Sequence, residues 1–309
     1  RFQKNRAQWD RYNGNLIAPF KALQDEGRIE IITSAATHAL LPLLESYPES
    51  IRAQILVARD HYKACFGRDP RGIWLPECAY VADVENVLQE ANIRWFVTDT
   101  HGLLYARPRP RYGTFAPVYT PNGVAVFGRD YDSARQVWSR NEGYPGDPNY
   151  RDFYRDIAFD LDFDYVKPFL PAPPQRSFTG IKYYRITGSP EKDTYDRNVA
   201  LHTAAEHAGH FLNCRLEQIH KAAEATQDRA PIILAPYDAE LFGHWWYEGP
   251  EFLDFFMRKS FFDQNEIKLI TPSDYLAENQ THQVARPASS SWGEEGLKQA
   301  QALSTPAAE

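Results

Sequence analysis

Gly72-Ile73-Trp74-Leu75-Pro76-Glu77-Cys78-Ala79-Tyr80 is a short apolar run stopped by proline and followed at once by a carboxylate. Ile73 to Leu75 reads as a strand, and the segments around it read as helices. Upstream, Pro48 to Phe66 is helical, with Pro48 suited to the first turn. Downstream, Val81 to Ala91 is a helix and Arg94 to Thr98 a second strand. This alternation implies parallel strands joined by crossover helices, an α/β fold. Active sites of such folds lie at the C-terminal ends of the strands, where Glu77 stands.

The alternation extends in both directions. Asn13 to Glu26 reads as an amphipathic helix closed by Gly27, Arg28 to Thr33 as a strand and Thr37 to Glu45 as a short helix. From His101 to Arg151 prolines punctuate the chain, and only Val124 to Phe127 reads as a strand; a second insert runs from Phe169 to Pro190. Long irregular inserts are more often functional than decorative. Tyr195 to Thr226 is a long helix or helix pair. Pro231 to Pro236, Glu251 to Arg258, Ile267 to Ile270 and Ser273 to Ala277 complete the alternation, without an internal repeat. After Trp292 the composition turns to Ala, Gln and Ser. The reading is one catalytic domain over residues 1–293 and a disordered tail over 294–309.

The 309 residues are enough for one barrel-sized domain or two smaller ones. A net charge of −7 with interspersed signs favours neither nucleic acid nor an anionic membrane. No apolar run approaches the roughly 20 residues that cross a bilayer. Three cysteines without Cys-x-x-Cys spacing fit reduced thiols in a cytoplasm better than a disulfide scaffold. Cys78 as a nucleophilic thiol is disfavoured, because no histidine stands near it in sequence.

A second stretch answers the first. Pro236-Tyr237-Asp238-Ala239-Glu240-Leu241-Phe242-Gly243-His244-Trp245-Trp246-Tyr247-Glu248-Gly249 follows the apolar run Ile232 to Ala235. It combines carboxylates, an imidazole and aromatic rings. Acids exchange protons or stabilise positive charge, and aromatic faces suit the apolar faces of sugars, so the mixture points to carbohydrate chemistry. His202, His207 and His210 suggest a metal at first, but His202 and His207 do not share a helical face. A solvated helix face is the better reading.

Both stretches resemble signature regions of the family 57 glycoside hydrolases, closest to that family's 1,4-α-glucan branching enzymes. Glu30 to Leu44, with Ala36-Thr37-His38-Ala39, is similar to the family's second region, and Ile270 to Leu276 to its fifth. The similarity spans roughly residues 10 to 293. It implies a distorted, incomplete seven-stranded (β/α) barrel with long loop inserts, acting on an α-1,4-glucan by a retaining double displacement without metal or cofactor. The family's first region and its helical C-terminal domain have no counterpart here. Glu77 matches the family's nucleophile and Asp238 its general acid/base, with Glu240 as the rival acid. Retaining chemistry needs two carboxyl groups about 5–5.5 Å apart.

By the same resemblance His38 and Trp292 are expected to contact substrate. His244, Trp245 and Trp246 are expected to do so from their place beside the acid. Arg151 and Arg155, after the long insert, are expected to bind sugar hydroxyls or orient a carboxylate, with plain surface as the alternative. One of Trp245 and Trp246 packs inward and the other lines the cleft. Tyr131 and Tyr144 are candidates for the family's loop tyrosine. Branching to an α-1,6 linkage is the expected outcome; α-amylase and 4-α-glucanotransferase activities are the rivals. A metal-dependent deacetylase or a non-catalytic glucan-binding protein are the alternatives of other classes.

Overall fold

Ile73, Phe96 and Val126 are fully buried, and each belongs to a different strand of one parallel sheet. In this computed structural model residues 1–139, 142–172, 174–226 and 228–293 are described; the tail expected over 294–309 lies outside them. The described chain packs as two compact units. The first comprises residues 1–130, 223–234 and 270–293, the second residues 131–222 and 235–269.

The first unit opens with α1 (Phe2–Arg11) and α2 (Ile17–Asp25), followed by β1 (Thr33–Ser34), α3 (Pro48–Phe66), β2 (Gly72–Trp74) and α4 (Val84–Glu90). Then come β3 (Trp95–Thr98), α5 (Thr100–Leu104), β4 (Val118–Tyr119) and β5 (Ala125–Gly128). The sheet order is β1-β2-β3-β5-β4, parallel except where β4 runs against β5. Alternate residues face opposite sides. Ile73, Phe96 and Val126 pack with Ile51 and Ile55 of α3 and Leu88 of α4. Trp95, Val97, Ala125 and Phe127 face Ile232 and Tyr275 on the other side. A sheet covered on both faces needs largely apolar strands, as β2, β3 and β5 are.

The fold is mixed α/β with a parallel sheet, as the alternation implied. Seven strands were expected, whereas five pair among the described residues and the sheet does not close. Residues 231–236 make only one bridge, Leu234 with Arg129, where the Asp130 amide donates to the Leu234 carbonyl at 2.8 Å. Pro231 and Pro236 have no N–H to extend that pairing. Residues 267–270 likewise form no strand. The strand expected from Arg28 shrinks to Thr33–Ser34 because side chains take the backbone groups before it. The Ile31 amide donates to Gln24 Oε1 at 2.9 Å, and the Tyr62 hydroxyl donates to the Ile31 carbonyl at 2.8 Å. The helix expected over 13–26 starts only at Ile17, because Asn13 (φ 49°) and Gly14 (φ 74°) adopt left-handed backbone.

The second unit contains α6 (Tyr131–Trp138), α7 (Ile157–Asp160), α8 (Phe163–Val166), α9 (Arg197–Ala225, to Ala222 in this unit) and α10 (Gly249–Phe262). Ala200, Ala204, Ala208 and Phe211 form one stripe of α9 that packs on Tyr144, Tyr150, Trp246 and Phe252. The insert before α9 is pinned by the buried Asp156. Its carboxylate accepts from the amides of Ala158, Thr179 and Gly180 and from the Thr179 hydroxyl at 2.8–3.1 Å. Among the described residues no helix is long and apolar enough to cross a membrane.

Gly72 lies opposite Trp95 in the ladder, and a Cβ there would meet the indole ring at 2.2 Å. Gly72→Ala is therefore expected to cost about 1–3 kcal/mol in denaturant unfolding, by overpacking. Gly293→Ala, where nothing lies within 4 Å and the backbone is not left-handed, controls for the loss of glycine.

Candidate active site

Glu77 follows β2 inside a 3₁₀ turn, Pro76–Cys78, and takes left-handed backbone (φ 60°), as does Cys78 (φ 51°). Each such residue without glycine's freedom costs roughly 1–2 kcal/mol. The turn lifts the Glu77 side chain out of the core while Pro76 and Cys78 stay buried. Several bonds hold it. Trp292 Nε1 donates to Glu77 Oε2 at 2.7 Å, and the Trp292 amide and Ser291 hydroxyl donate to the Glu77 carbonyl at 3.0 and 3.2 Å. His38 Nε2 lies 3.4 Å from Glu77 Oε1. His38 also has left-handed backbone (φ 55°), shortly after β1.

Thus His38, Glu77 and Trp292 come together in the first unit. Trp292 was expected on glucan; its indole N–H is engaged by the Glu77 carboxylate. Sequence reasoning missed this bond, and local pattern carries no signal for partners 215 residues apart. It also missed Asp99 and Arg129, which follow β3 and β5 and form an ion pair at 3.1 Å, both largely buried.

In the second unit Asp238 is half-buried and stands just before the 3₁₀ turn Ala239–Leu241, without a side-chain bond to the turn's amides. The loop after it folds on itself. The Trp246 amide donates to the Leu241 carbonyl at 2.8 Å and the Gly243 amide to the Trp246 carbonyl at 2.7 Å, with Gly243 at φ 95°. That fold sorts the two tryptophans. Trp246 is 1% exposed and packs on Phe252 and Tyr150, with ring centroids 4.8 and 5.6 Å away. The substrate contact expected of Trp246 is therefore corrected, because no face of its ring is open to a sugar. Trp245 is 46% exposed and stands edge-on to Trp138 at 6.0 Å. His244 is exposed beside Phe153, at 5.2 Å.

The two arginines differ. The Arg151 guanidinium lies 3.6 Å from the Tyr247 ring centroid, while Arg155 Nε donates to Asp160 at 2.6 Å. Glu248 is fully buried and accepts from the Arg151 amide at 3.3 Å. Burial pushes the Glu248 carboxyl up, and the nearby Tyr195 hydroxyl and the Glu248 and Arg151 amides only partly offset it.

The histidines of α9 correct a further expectation. His202 is exposed and pairs with Glu206, and His210 is exposed as well, but His207 is half-buried and not on a solvated face. His207 shares a hydrogen bond with the Tyr150 hydroxyl at 2.9 Å, and His210 one with Tyr144 at 2.7 Å. Burial lowers the His207 pKa below its ordinary value. Tyr144 is thus a buried core residue, whereas Tyr131, at the start of α6, is exposed. Among the described residues no three His, Cys, Asp or Glu side chains gather as a metal site requires.

Comparison with known proteins gives a consistent result. The profile of glycosyl hydrolase family 57 matches residues 2–287. A 1,4-alpha-glucan branching enzyme of Thermococcus kodakarensis is 35% identical over 94% of this chain and 44% of its own length. Among solved structures, an alpha-amylase of Thermotoga maritima superposes with a TM-score of 0.90 at 42% identity, over 95% of this chain and 57% of that one. A branching enzyme of Pyrococcus horikoshii superposes with a TM-score of 0.81 at 35% identity, over 96% and 54%. The chain spans about half the length of the relatives it matches.

Two outcomes are expected within the second unit. Trp246→Ala loses about 3–5 kcal/mol of stability in denaturant unfolding, while Trp245→Ala leaves the midpoint nearly unchanged. Glu248 has a folded pKa above its ordinary 4.5, so its contribution is fully present below that value and is lost as pH rises through the folded one. Unfolding free energy measured from about pH 4 to about pH 8 should fall less in Glu248→Gln than in the wild type.

Proposed function

Because the chain belongs to glycosyl hydrolase family 57, we propose that it acts on α-1,4-glucan as a retaining 1,4-α-glucan branching enzyme. In this reading Glu77 attacks the anomeric carbon and forms a covalent glycosyl ester, while Asp238 protonates the departing glycosidic oxygen. Asp238 then takes the proton of an incoming 6-hydroxyl, whose oxygen displaces Glu77 and leaves an α-1,6 branch. Double displacement of this kind needs one carboxyl as nucleophile and one as acid, then base.

The observation that carries the proposal is the Glu77 turn. A half-exposed carboxylate stands at the C-terminal end of a parallel strand, on strained backbone, with an indole N–H on one oxygen and an imidazole near the other. Strain of this kind persists only where the surroundings over-determine it, and it clusters at active sites. A plain surface glutamate has no need of it. Likeness to branching enzymes in sequence and in structure supports the α-glucan substrate. We assign substrate contact to His38, Trp245, His244 and Arg151. Arg155 is occupied by Asp160 and is assigned a part in holding its own loop.

Hydrolysis is the second reading, favoured by the likeness to the Thermotoga maritima alpha-amylase. Water then replaces the 6-hydroxyl in the second step, with the same two carboxyls. Incubation with amylose separates the two, by iodine absorbance, reducing ends and chains released by isoamylase. Branching yields new isoamylase-sensitive linkages with few new reducing ends, and hydrolysis yields the reverse. Glu77→Gln and Asp238→Asn are each expected to lower turnover by about 10²–10⁴-fold or more. Wild-type turnover in either variant would remove that residue from the mechanism.

A further inference from the structure

Glu77, Asp99 and Arg129 each follow the end of a strand, and the strands are neighbours in the order β2, β3, β5. Thr98 lies opposite Gly128, so Asp99 and Arg129 leave the sheet side by side. Their side chains meet there, Arg129 Nη1 donating to Asp99 Oδ2 at 3.1 Å. The Arg129 guanidinium also lies 5.0 Å from the centroid of the Trp292 ring. Trp74, the last residue of β2, meets the same ring edge-on at 5.0 Å. Trp292 is therefore confined by an aromatic neighbour and a cation, and its N–H points at Glu77 Oε2.

We infer that Asp99 and Arg129 are positioning residues for the nucleophile, acting on the Glu77 carboxylate through the Trp292 ring. The inference rests on the reading of Glu77 given above.

The Ser291 hydroxyl and the Trp292 amide hold the Glu77 carbonyl, whereas Trp292 Nε1 bears on one carboxylate oxygen and His38 lies near the other. The direction of that N–H follows the tilt of the ring. A cation near an aromatic ring is attracted by its quadrupole, which fixes the tilt, and it draws electron density from the ring, which makes the N–H a stronger donor. Asp99 fixes the cation in turn. Burial raises the Asp99 pKa, but His101 and Arg129 more than offset it and keep the carboxyl below the usual range. The Thr100 hydroxyl donates to the Arg129 carbonyl at 2.7 Å and binds the two strand ends together. A tie between strand ends alone would not require the guanidinium to lie against an indole. Buried ion pairs are in any case weak stabilisers.

The test uses the whole chain labelled with ¹⁵N. Its tryptophans each give an indole N–H resonance, and the one lost in Trp292→Phe is that of Trp292. In the wild type this resonance is expected far downfield and slow to exchange with solvent, as a hydrogen bond to a carboxylate makes it. Arg129→Gln and Asp99→Asn should move it toward its position in Glu77→Gln, with Trp9, Trp138, Trp245 and Trp246 unmoved. Arg129→Lys, which keeps the charge, should restore part of the shift. An unmoved Trp292 resonance in a folded Arg129→Gln or Asp99→Asn protein overturns the inference.

Kinetics with an aryl α-maltoside supply a second readout. Arg129→Gln is expected to lower kcat about tenfold at unchanged KM. In a Trp292→Phe background the same change should cost less than about twofold, because the donor it acts through is gone. Equal losses in both backgrounds would show that Arg129 acts independently of the indole. Full turnover in Glu77→Gln would remove the functional reading while leaving the Trp292–Arg129 coupling to stand or fall by its own resonance.

Discussion

Ile73 lies opposite Phe96, and Thr98 opposite Gly128, and on this parallel register the first unit depends. A slip of one residue would exchange the two faces of a strand. Ile73 would leave the core shared with α3 and α4, and Trp95 would lose the space that Gly72 leaves for its ring. The same register brings the residues after β2, β3 and β5 to one edge of the sheet. Glu77, Asp99 and Arg129 owe their place along that edge to the ladder, which ends at Thr98 and Gly128, directly before Asp99 and Arg129.

The Glu77 turn shows how backbone strain is held. Two successive residues take left-handed backbone, and three donors from residues 291 and 292 close over the first of them. Those donors come from the far end of the described chain, so the turn is completed by tertiary structure and not by its own sequence. In the second unit the loop after Asp238 solves a similar problem locally. A glycine at φ 95° and two backbone bonds fold Leu241 to Trp246 tightly enough to bury one tryptophan and expose its neighbour.

Much of this was legible in the residues. Pro48 to Phe66 is the helix expected from its proline start, and Gly67 adopts the left-handed cap. The strands at 72–74, 95–98 and 125–128 fall within a residue of their apolar runs. The strands expected at 28–33, 231–236 and 267–270 shrank or failed. In the first two, backbone groups were claimed by side chains or were missing from prolines, which apolarity alone does not reveal. Trp245 and Trp246 could not be separated by composition. His207 looked like part of a solvated face because its tyrosine partner lies 57 residues away.

The sequence by itself determined the alternation of strands and helices, the carboxylate at the end of β2 and the aromatic loop after Asp238. These follow from patterns within a dozen residues, where periodicity and proline or glycine chemistry act directly on the backbone. Only the tertiary structure decided that Trp292 donates to Glu77, that Arg129 lies against its ring, and that Trp246 belongs to a core. Each of those contacts joins residues distant in the chain, and its geometry follows from sheet register and helix packing, which no local window contains.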